Sequence, residues 1–464
     1  MFPFDKKLKQ GNKFYSSLGS LNLGAISMGM TVGWVEPSLV YFLLPKKYHN
    51  STHIRDNLQW TMNLGAGFGA LVPLAVIDYF GRKTSFQNAA VINLVAEFLL
   101  IGASNKTMFM AAAFLGGCAV GIFFTGMVLY VAEISTPAER GTVGALVSFC
   151  AYIGIVFTDL IAIFLNWQIL IYAICLATLT FIASMSFWMI ESPHFLLMEG
   201  KSLETKLTLK SLRGVGSILE IEEEYKSMES FLKLEQDSQR RPSLRSIFWP
   251  ERVKKSVAII LPILCISQMV GGHAMDDYAE EVVNIVVPHY GKLLLSSLDV
   301  LSVGICLYMI DKVGRKPLLM ISIIGSGLCC FSLAIFRYFG QDQCRSINNK
   351  IEISVGIVIV YYSVYSLGLI PILPILTGEL FPSRIKTIAV GLCMAFVYLA
   401  AAGMQSLYWF FYVRSGTCLA FAAFAMSGSL GCPLAVTSMP ETKGKSLYEI
   451  QENYRTSTKD HKKW

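Results

Sequence analysis

Three charged motifs occur twice along this chain, in the same order and each at the end of an apolar run. Asp78, Gly81, Arg82 and Lys83 in DYFGRK return as Asp311, Gly314, Arg315 and Lys316 in DKVGRK. Glu133 precedes Arg140 by seven residues, and Glu379 precedes Lys386 by the same seven. Glu191-Ser192-Pro193 is answered by Pro440-Glu441-Thr442. Acids and bases in this arrangement form no nucleophile–base pair, and no metal-ligand spacing or phosphate loop accompanies them. The set therefore points away from an enzyme and implies no cofactor. What such charges can do is pair and unpair. An exposed ion pair contributes about 0–1 kcal/mol, so several of them can hold two conformations close in energy, as a gate requires.

A second constellation lies at 266–283, ISQMVGGHAMDDYAEEVV. It begins inside an apolar run, yet carries Ser267, Gln268, His273, two glycines and four acids. Adjacent glycines at 271 and 272 let a helix break. Backbone groups freed in this way are tolerated at membrane depth where they line a cavity rather than face lipid. Carboxylates elsewhere in apolar runs are also candidates for function, since one at the bilayer centre costs about 2.5–3.5 kcal/mol. Glu36 and the acids at 276–281 fall at an expected interface. Glu97 and Asp159 are near span ends, within expected reach of water, and Asp299 lies deeper.

These residues must be positioned by membrane helices. The chain has 464 residues, 54% hydrophobic and 15% charged, with mean hydropathy +0.52. A soluble chain of this length needs more charge to cover its surface. Twelve apolar runs are long enough to cross a bilayer: about 20–43, 58–77, 86–103, 108–130, 142–165, 168–189, 256–275, 291–310, 317–337, 352–376, 387–412 and 417–437. The expected fold is all-α, with twelve transmembrane helices in two six-helix repeats and a cytosolic helical linker. Residues 1–189 form the first bundle, 190–255 the linker, 256–437 the second bundle and 438–464 a cytosolic tail. In the linker Ile218, Ile221, Tyr225, Met228 and Leu232 recur at helical spacing, the mark of an amphipathic helix.

Orientation follows from charge. With the N-terminus inside, 30 of the 39 Lys and Arg fall on cytosolic segments, the positive-inside asymmetry. The net charge of +7 then reports topology, not nucleic-acid binding. The lysine-rich first 19 residues read as the start of an uncleaved span. Asn50-Ser51-Thr52 is a glycosylation sequon in the first outer loop. The eleven cysteines are scattered, with Cys329 and Cys330 expected as packing residues.

At its motifs the chain resembles the sugar porter branch of the major facilitator superfamily, and within it the arthropod facilitated glucose and trehalose transporters. The likeness rests on DYFGRK, YVAEISTPAERG (130–141), ESP (191–193), DKVGRK, GELFPSRIK (378–386), PETKGKS (440–446) and GWVEPSL (33–39), and covers nearly the whole chain. It implies an inner gate in which Glu133, Glu379, Glu191 and Glu441 pair with Arg82, Arg140, Arg315 and Lys386. His194 and Tyr79 stand where the family usually has arginine. The resemblance also implies a sugar cavity, and here the chain departs from the pattern. The family's seventh-span amides fall at Ser267, Gln268 and His273, its eighth-span amide at Asp299 and its fifth-span glutamine at Ser148. The tenth-span tryptophan falls at Pro374, and the eleventh-span Asn-Trp pair at Val397-Tyr398. Gln268 is the amide that survives clearly, while Ser267, Ser148 and Tyr398 retain hydroxyls.

The reading is a multi-pass plasma-membrane uniporter with both termini in the cytosol. Its partners are the lipid bilayer and a small polar solute, most simply glucose or trehalose, with no nucleic acid and no obligate protein partner. Proton symport of the family's kind is not expected, because the first-span aspartate and fourth-span arginine are replaced by Val35 and Ala113. Two alternatives stand. One is a non-transporting sensor on the same fold. The other is a carrier with a changed substrate, cationic or proton-coupled, drawn from the proximity of His273 and Asp299.

Overall fold

The computed structural model describes residues 10–35, 52–237, 251–340, 347–445 and Glu449. Glu36 and the sequon at Asn50 lie outside the described residues, as does the side chain of His273. The described residues are helical, with no strand among them. The first six spans are Asn12–Gly33, Thr52–Phe80, Arg82–Ile101, Lys106–Ile134, Arg140–Phe164 and Trp167–Trp188. The linker folds as Pro193–Met198, Ser202–Arg213, a 3-10 turn Ile218–Ile221 and Glu222–Asp237. The seventh span is split into Glu251–Met269 and Gly272–Val286, followed by Gly291–Val313, Arg315–Gly340 and Ile347–Leu380. The eleventh and twelfth spans lie in the stretch Ser383–Ser438.

Eight of these helices are long and apolar enough to cross a membrane by length and composition alone. The other four are the first, rich in Ser and Gly, the second, Thr52–Phe80, the interrupted seventh, and the twelfth, which contributes the shorter apolar piece Cys418–Ser429.

The two halves pack alike. The first span lies on the fifth and sixth and the second on the fourth, while in the second half the eighth lies on the tenth and the ninth on the tenth. Each half has its own apolar core, one around Phe86, Phe123 and Phe181, the other around Tyr278, Tyr361 and Phe421. The halves meet where the second span packs on the eleventh and the fifth on the eighth. Small residues permit the closest approaches. A side-chain carbon at Gly117 would stand 2.1 Å from the Met62 carbonyl oxygen, and one at Gly121 2.0 Å from that of Ala66. The second and fourth spans therefore touch backbone to backbone, a small-residue contact typical of membrane helices.

The first span differs from expectation, running 12–33 rather than 20–43. Its polar opening turn is held from outside, by a hydrogen bond from the Gly11 amide to the Leu212 carbonyl at 2.7 Å. The linker also has a small core, with Leu209, Ile221 and Tyr225 buried together and Ile218 and Met228 against them. Arg213 fastens this unit to the first half, bonding Glu224 at 2.7 Å, the Ile134 carbonyl at 3.0 Å and Gln10 at 3.3 Å.

Gly117→Val is expected to lower the thermal unfolding midpoint in detergent by several degrees, since overpacking against rigid backbone costs about 1–3 kcal/mol. Gly19→Ala, where nothing lies within 4 Å, is expected to leave the midpoint unchanged or raise it.

Candidate functional site: a charged gate and a broken seventh span

The repeated motifs converge on one end of the helix bundle. Arg82, 2% exposed, bonds both oxygens of Glu133 at 2.9 and 3.0 Å and lies 3.3 Å from Asp78. In the second half Arg315, with no exposed surface, lies 2.7 Å from Asp311 and 3.6 Å from Glu379. Fork-on-carboxylate geometry suits the planar guanidinium, and the first half achieves it more fully than the second.

Glu191 and Glu441 do something different from the side-chain pairing expected of them. Glu191 accepts the backbone N–H groups of Arg82 at 2.9 Å and Lys83 at 3.2 Å. Glu441 accepts those of Arg315 and Lys316, both at 3.1 Å. Each carboxylate thus caps, from a distant part of the chain, the first turn of the third or ninth span, where N–H groups lack partners and the helix dipole favours negative charge. Gly81 and Gly314 precede those turns with φ of 94° and 109°. A side chain on either would meet the capping carboxylate, at 2.5 Å for Gly81 and 2.6 Å for Gly314. The glycine in each GRK motif is required twice over, by backbone conformation and by the cap.

Among the described residues, polar and charged side chains approach one another across the halves at this end. Arg140 lies 3.9 Å from Glu379. Thr142 donates its amide to Asp311 at 2.8 Å and its hydroxyl to the same oxygen. Thr387 donates to Asp78 at 2.9 Å. Lys386, 4% exposed, sits within electrostatic reach of Glu133 and Arg82 in the first half and of Glu379 in its own. The two threonines were missed by sequence reasoning. Their signal was position, one or two residues beyond the basic member of each Glu–Arg and Glu–Lys motif. Directly beyond the gate the seam narrows to a void of about 10 Å³ lined by Met127, Val131, Arg140, Gly144, Pro374 and Ile375. That is room for about one water.

Toward the opposite end the seventh span breaks at the glycine pair. Gly271 has φ of 95° and starts the second piece. An added side chain at Gly272 would stand 2.4 Å from the Tyr365 hydroxyl. Tyr365 stacks on Tyr361 with ring centroids 5.6 Å apart and lies in the field of both Asp276 and Asp299. Asp299 accepts the Ser366 hydroxyl and Asp276 that of Tyr362. Gln268, 9% exposed, donates to Ser267 at 3.3 Å, whose own hydroxyl donates to the Leu264 carbonyl at 2.7 Å. Ser148 likewise donates within its helix, to Gly144 at 3.4 Å. Tyr398 is half-buried against the core of the first half. Asp299 is thus tied to the tenth span, Gln268 and Ser267 sit side by side, and Ser148 and Tyr398 stand on the fifth and eleventh. Tyr365 and Ser366 were not among the residues expected from the sequence.

Two carboxylates expected to reach water are buried instead. Glu97, 3% exposed, accepts Asn93 at 2.7 Å and Thr178 at 2.5 Å, inside a network that includes Thr31 and Ser27. Asp159, 2% exposed, accepts the Ser296 hydroxyl at 2.6 Å, which joins the fifth span to the eighth near the end remote from the gate. Helix neighbours shield both acids more fully than their distance from the span ends suggested.

Two six-helix halves, joined by polar contacts and carrying a broken helix, define a membrane transporter rather than an enzyme. The profile described as "Sugar (and other) transporter" matches residues 39–454, and the chain belongs to that family. Among its relatives is the facilitated trehalose transporter Tret1 of Bombyx mori, 25% identical over 443 residues, which cover 93% of this chain and 85% of the relative. Trehalose transporter 1 of Drosophila melanogaster is 26% identical over 451 residues, covering 93% of this chain. The chain spans about half (50%) of that longer relative. In fold it is similar to the proton:xylose symporter XylE bound to 6-bromo-6-deoxy-D-glucose, with TM-score 0.79, 20% identity, and 95% and 99% of the two chains covered. Against XylE in an inward-open conformation the TM-score is 0.67 at 18% identity, over 95% and 99% of the chains.

His194 offers a titration that tests the packing of the gate. Burial drives its imidazole down to about 4; Glu133 pulls it upward, and Arg82 and Lys386 push it further down. The folded protein keeps this group neutral where the unfolded chain, with an ordinary value near 6.5, binds a proton. Stability is therefore expected to be flat above about pH 6.5 and to fall as pH drops toward 4, by up to about 3 kcal/mol from this group. His194→Gln removes that component, so wild type and variant unfolding midpoints should converge or cross between pH 7 and 4.5. Parallel curves would refute the assignment.

Proposed function

We propose that the protein is a facilitative carrier that moves a small polyhydroxylated solute, a sugar of the glucose or trehalose class, down its gradient by alternating access. The membrane is the plasma membrane, with the charged end and both chain termini on the cytosolic side. The units are residues 1–189, the linker 190–255, the second bundle 256–437 and the tail 438–464. The reading is carried by the contacts that cross between the halves at the charged end. Arg140–Glu379, Thr142–Asp311 and Thr387–Asp78 are polar pairs that can part into water, unlike the apolar interior of either half. Glu133, Arg82, Arg315, Lys386, Glu191 and Glu441 support the same gate.

The solute site lies beyond the gate, with Gln268 as its principal amide and Ser267, His273, Asp299, Ser148 and Tyr398 as further polar contacts. The trehalose transporters among the relatives favour a sugar as the solute. A solute bearing a positive group is the second reading, favoured by the two acids Asp276 and Asp299 whose field reaches Tyr365.

Counterflow in proteoliposomes decides between them. Trehalose or glucose is expected to exchange saturably, and Gln268→Ala to raise the half-saturation concentration by roughly five- to tenfold, the worth of one or two hydrogen bonds to a buried group. Exchange of an organic cation that is lost in Asp299→Asn, with no sugar exchange, would replace the sugar reading by the second.

A further inference from the structure

We infer that Asn63 and Gln59 of the second span, with Gln405 of the eleventh, form a second solute subsite at the end of the seam remote from the gate, and that it takes the second ring of a disaccharide. This subsite presupposes the carrier proposed above.

Asn63 and Gln405 are buried and Gln59 is half-buried, and each has a shielded amide atom without a partner among the described residues. Asn63 is 6% exposed and Gln405 3%. The Asn63 Nδ2, the Gln59 Oε1 and the Gln405 Oε1 are all shielded, and none has a hydrogen-bond partner among the described residues. Packing alone does not call for amides here, since Leu or Met would fill the same space without an unmade hydrogen bond.

Their placement is ordered. The second and eleventh spans run antiparallel, with Gly67 against Leu399 and Gly391 against Leu74 and Ala70. Asn63 is one turn before Gly67 and Gln59 one turn before Asn63, on the same stripe. Phe68 and Val72 occupy the exposed side of that helix instead, 54% and 43% exposed. Gln405 follows Tyr398 by seven residues, two turns along the stripe that puts Met394 and Tyr398 against the first half. Extending the register of the facing glycines brings Gln59 level with Gln405. At 1.5 Å per residue Gln405, and Gln59 level with it, lie about 10 Å beyond Tyr398, with Asn63 one turn nearer.

The unmet groups also specify the ligand. Asn63 lacks an acceptor, while Gln59 and Gln405 lack donors. A side-chain amide presents both a donor and an acceptor. A hydroxyl both donates and accepts, so neighbouring sugar hydroxyls serve all three. One ring at Tyr398 stops short of Gln59 and Gln405; two linked rings reach them.

Counterflow of trehalose and of glucose, each measured with wild type, Gln405→Leu, Asn63→Leu and the milder Asn63→Ser, tests this. The amide-to-leucine variants are expected to raise the trehalose half-saturation concentration about tenfold and leave that for glucose unchanged. Intact glucose exchange also shows that they fold. Should a leucine variant not fold, Asn63→Ser and Gln59→Leu carry the comparison, with a smaller trehalose-selective rise expected. An equal loss for both sugars, or no change for either because the amides hold only water, would overturn the subsite while the carrier reading stands. Wild type that exchanges neither sugar removes the carrier reading itself, and the subsite with it.

Discussion

A guanidinium cannot be left alone in a protein interior, and this fold buries two of them at equivalent places. Arg82 and Arg315 are 2% and 0% exposed, so each needs a carboxylate in contact. Removing one partner of a buried pair costs about 3–5 kcal/mol. The needed acids come from different helices: Asp78 and Glu133 for the first, Asp311 and Glu379 for the second. Satisfying one arginine therefore fixes the ends of three spans in each half. The crossing contacts then use what is left over. Asp78 and Asp311 also accept threonines from the opposite half, and Glu379 serves Arg140 as well as Arg315. The gate is assembled from the spare valence of two structural sites.

The division of labour explains how such an interface can both hold and open. Within a half, each arginine is buried and faces two carboxylates. Between halves, the contacts are few, longer or neutral, and border water once separated. Parting the halves would expose Asp78 and Asp311 without emptying either arginine site of its other partners. The fifth and eighth spans carry a further bridge at the opposite end, Ser296 to Asp159. In this conformation that pair of helices is joined near both ends, by Thr142–Asp311 and by Ser296–Asp159.

Much of this was legible in the chain. The doubled motifs announced two halves and gathered at one end of the bundle, and the glycine pair at 271–272 marked the break in the seventh span. What the motifs could not convey was which atoms they use. A glutamate after a membrane helix reads as a partner for a nearby arginine side chain, yet Glu191 and Glu441 bind backbone amides. Only the tertiary arrangement brings those amides to them. The first span was misplaced because apolarity marks where a helix meets lipid, whereas its opening turn is held by the linker. Glu97 and Asp159 were read as water-accessible from their distance to a span end, but shielding depends on neighbours that one-dimensional position does not reveal. Single amides such as Asn63 and Gln405 had no pattern to lift them from their apolar runs.

The remote caps have a bearing on how the chain comes to be built. The first turn of the third span takes its cap from Glu191, 109 residues further along than Arg82, and that of the ninth from Glu441, 126 beyond Arg315. In synthesis each of these turns is made before its cap, and it meets that carboxylate only once the last helix of its half has emerged. A half-made bundle is therefore chemically marked as unfinished. Closing the cap coincides with completing the six-helix unit, and it happens twice, once for each half, before the two surfaces that slide against each other are both in final form.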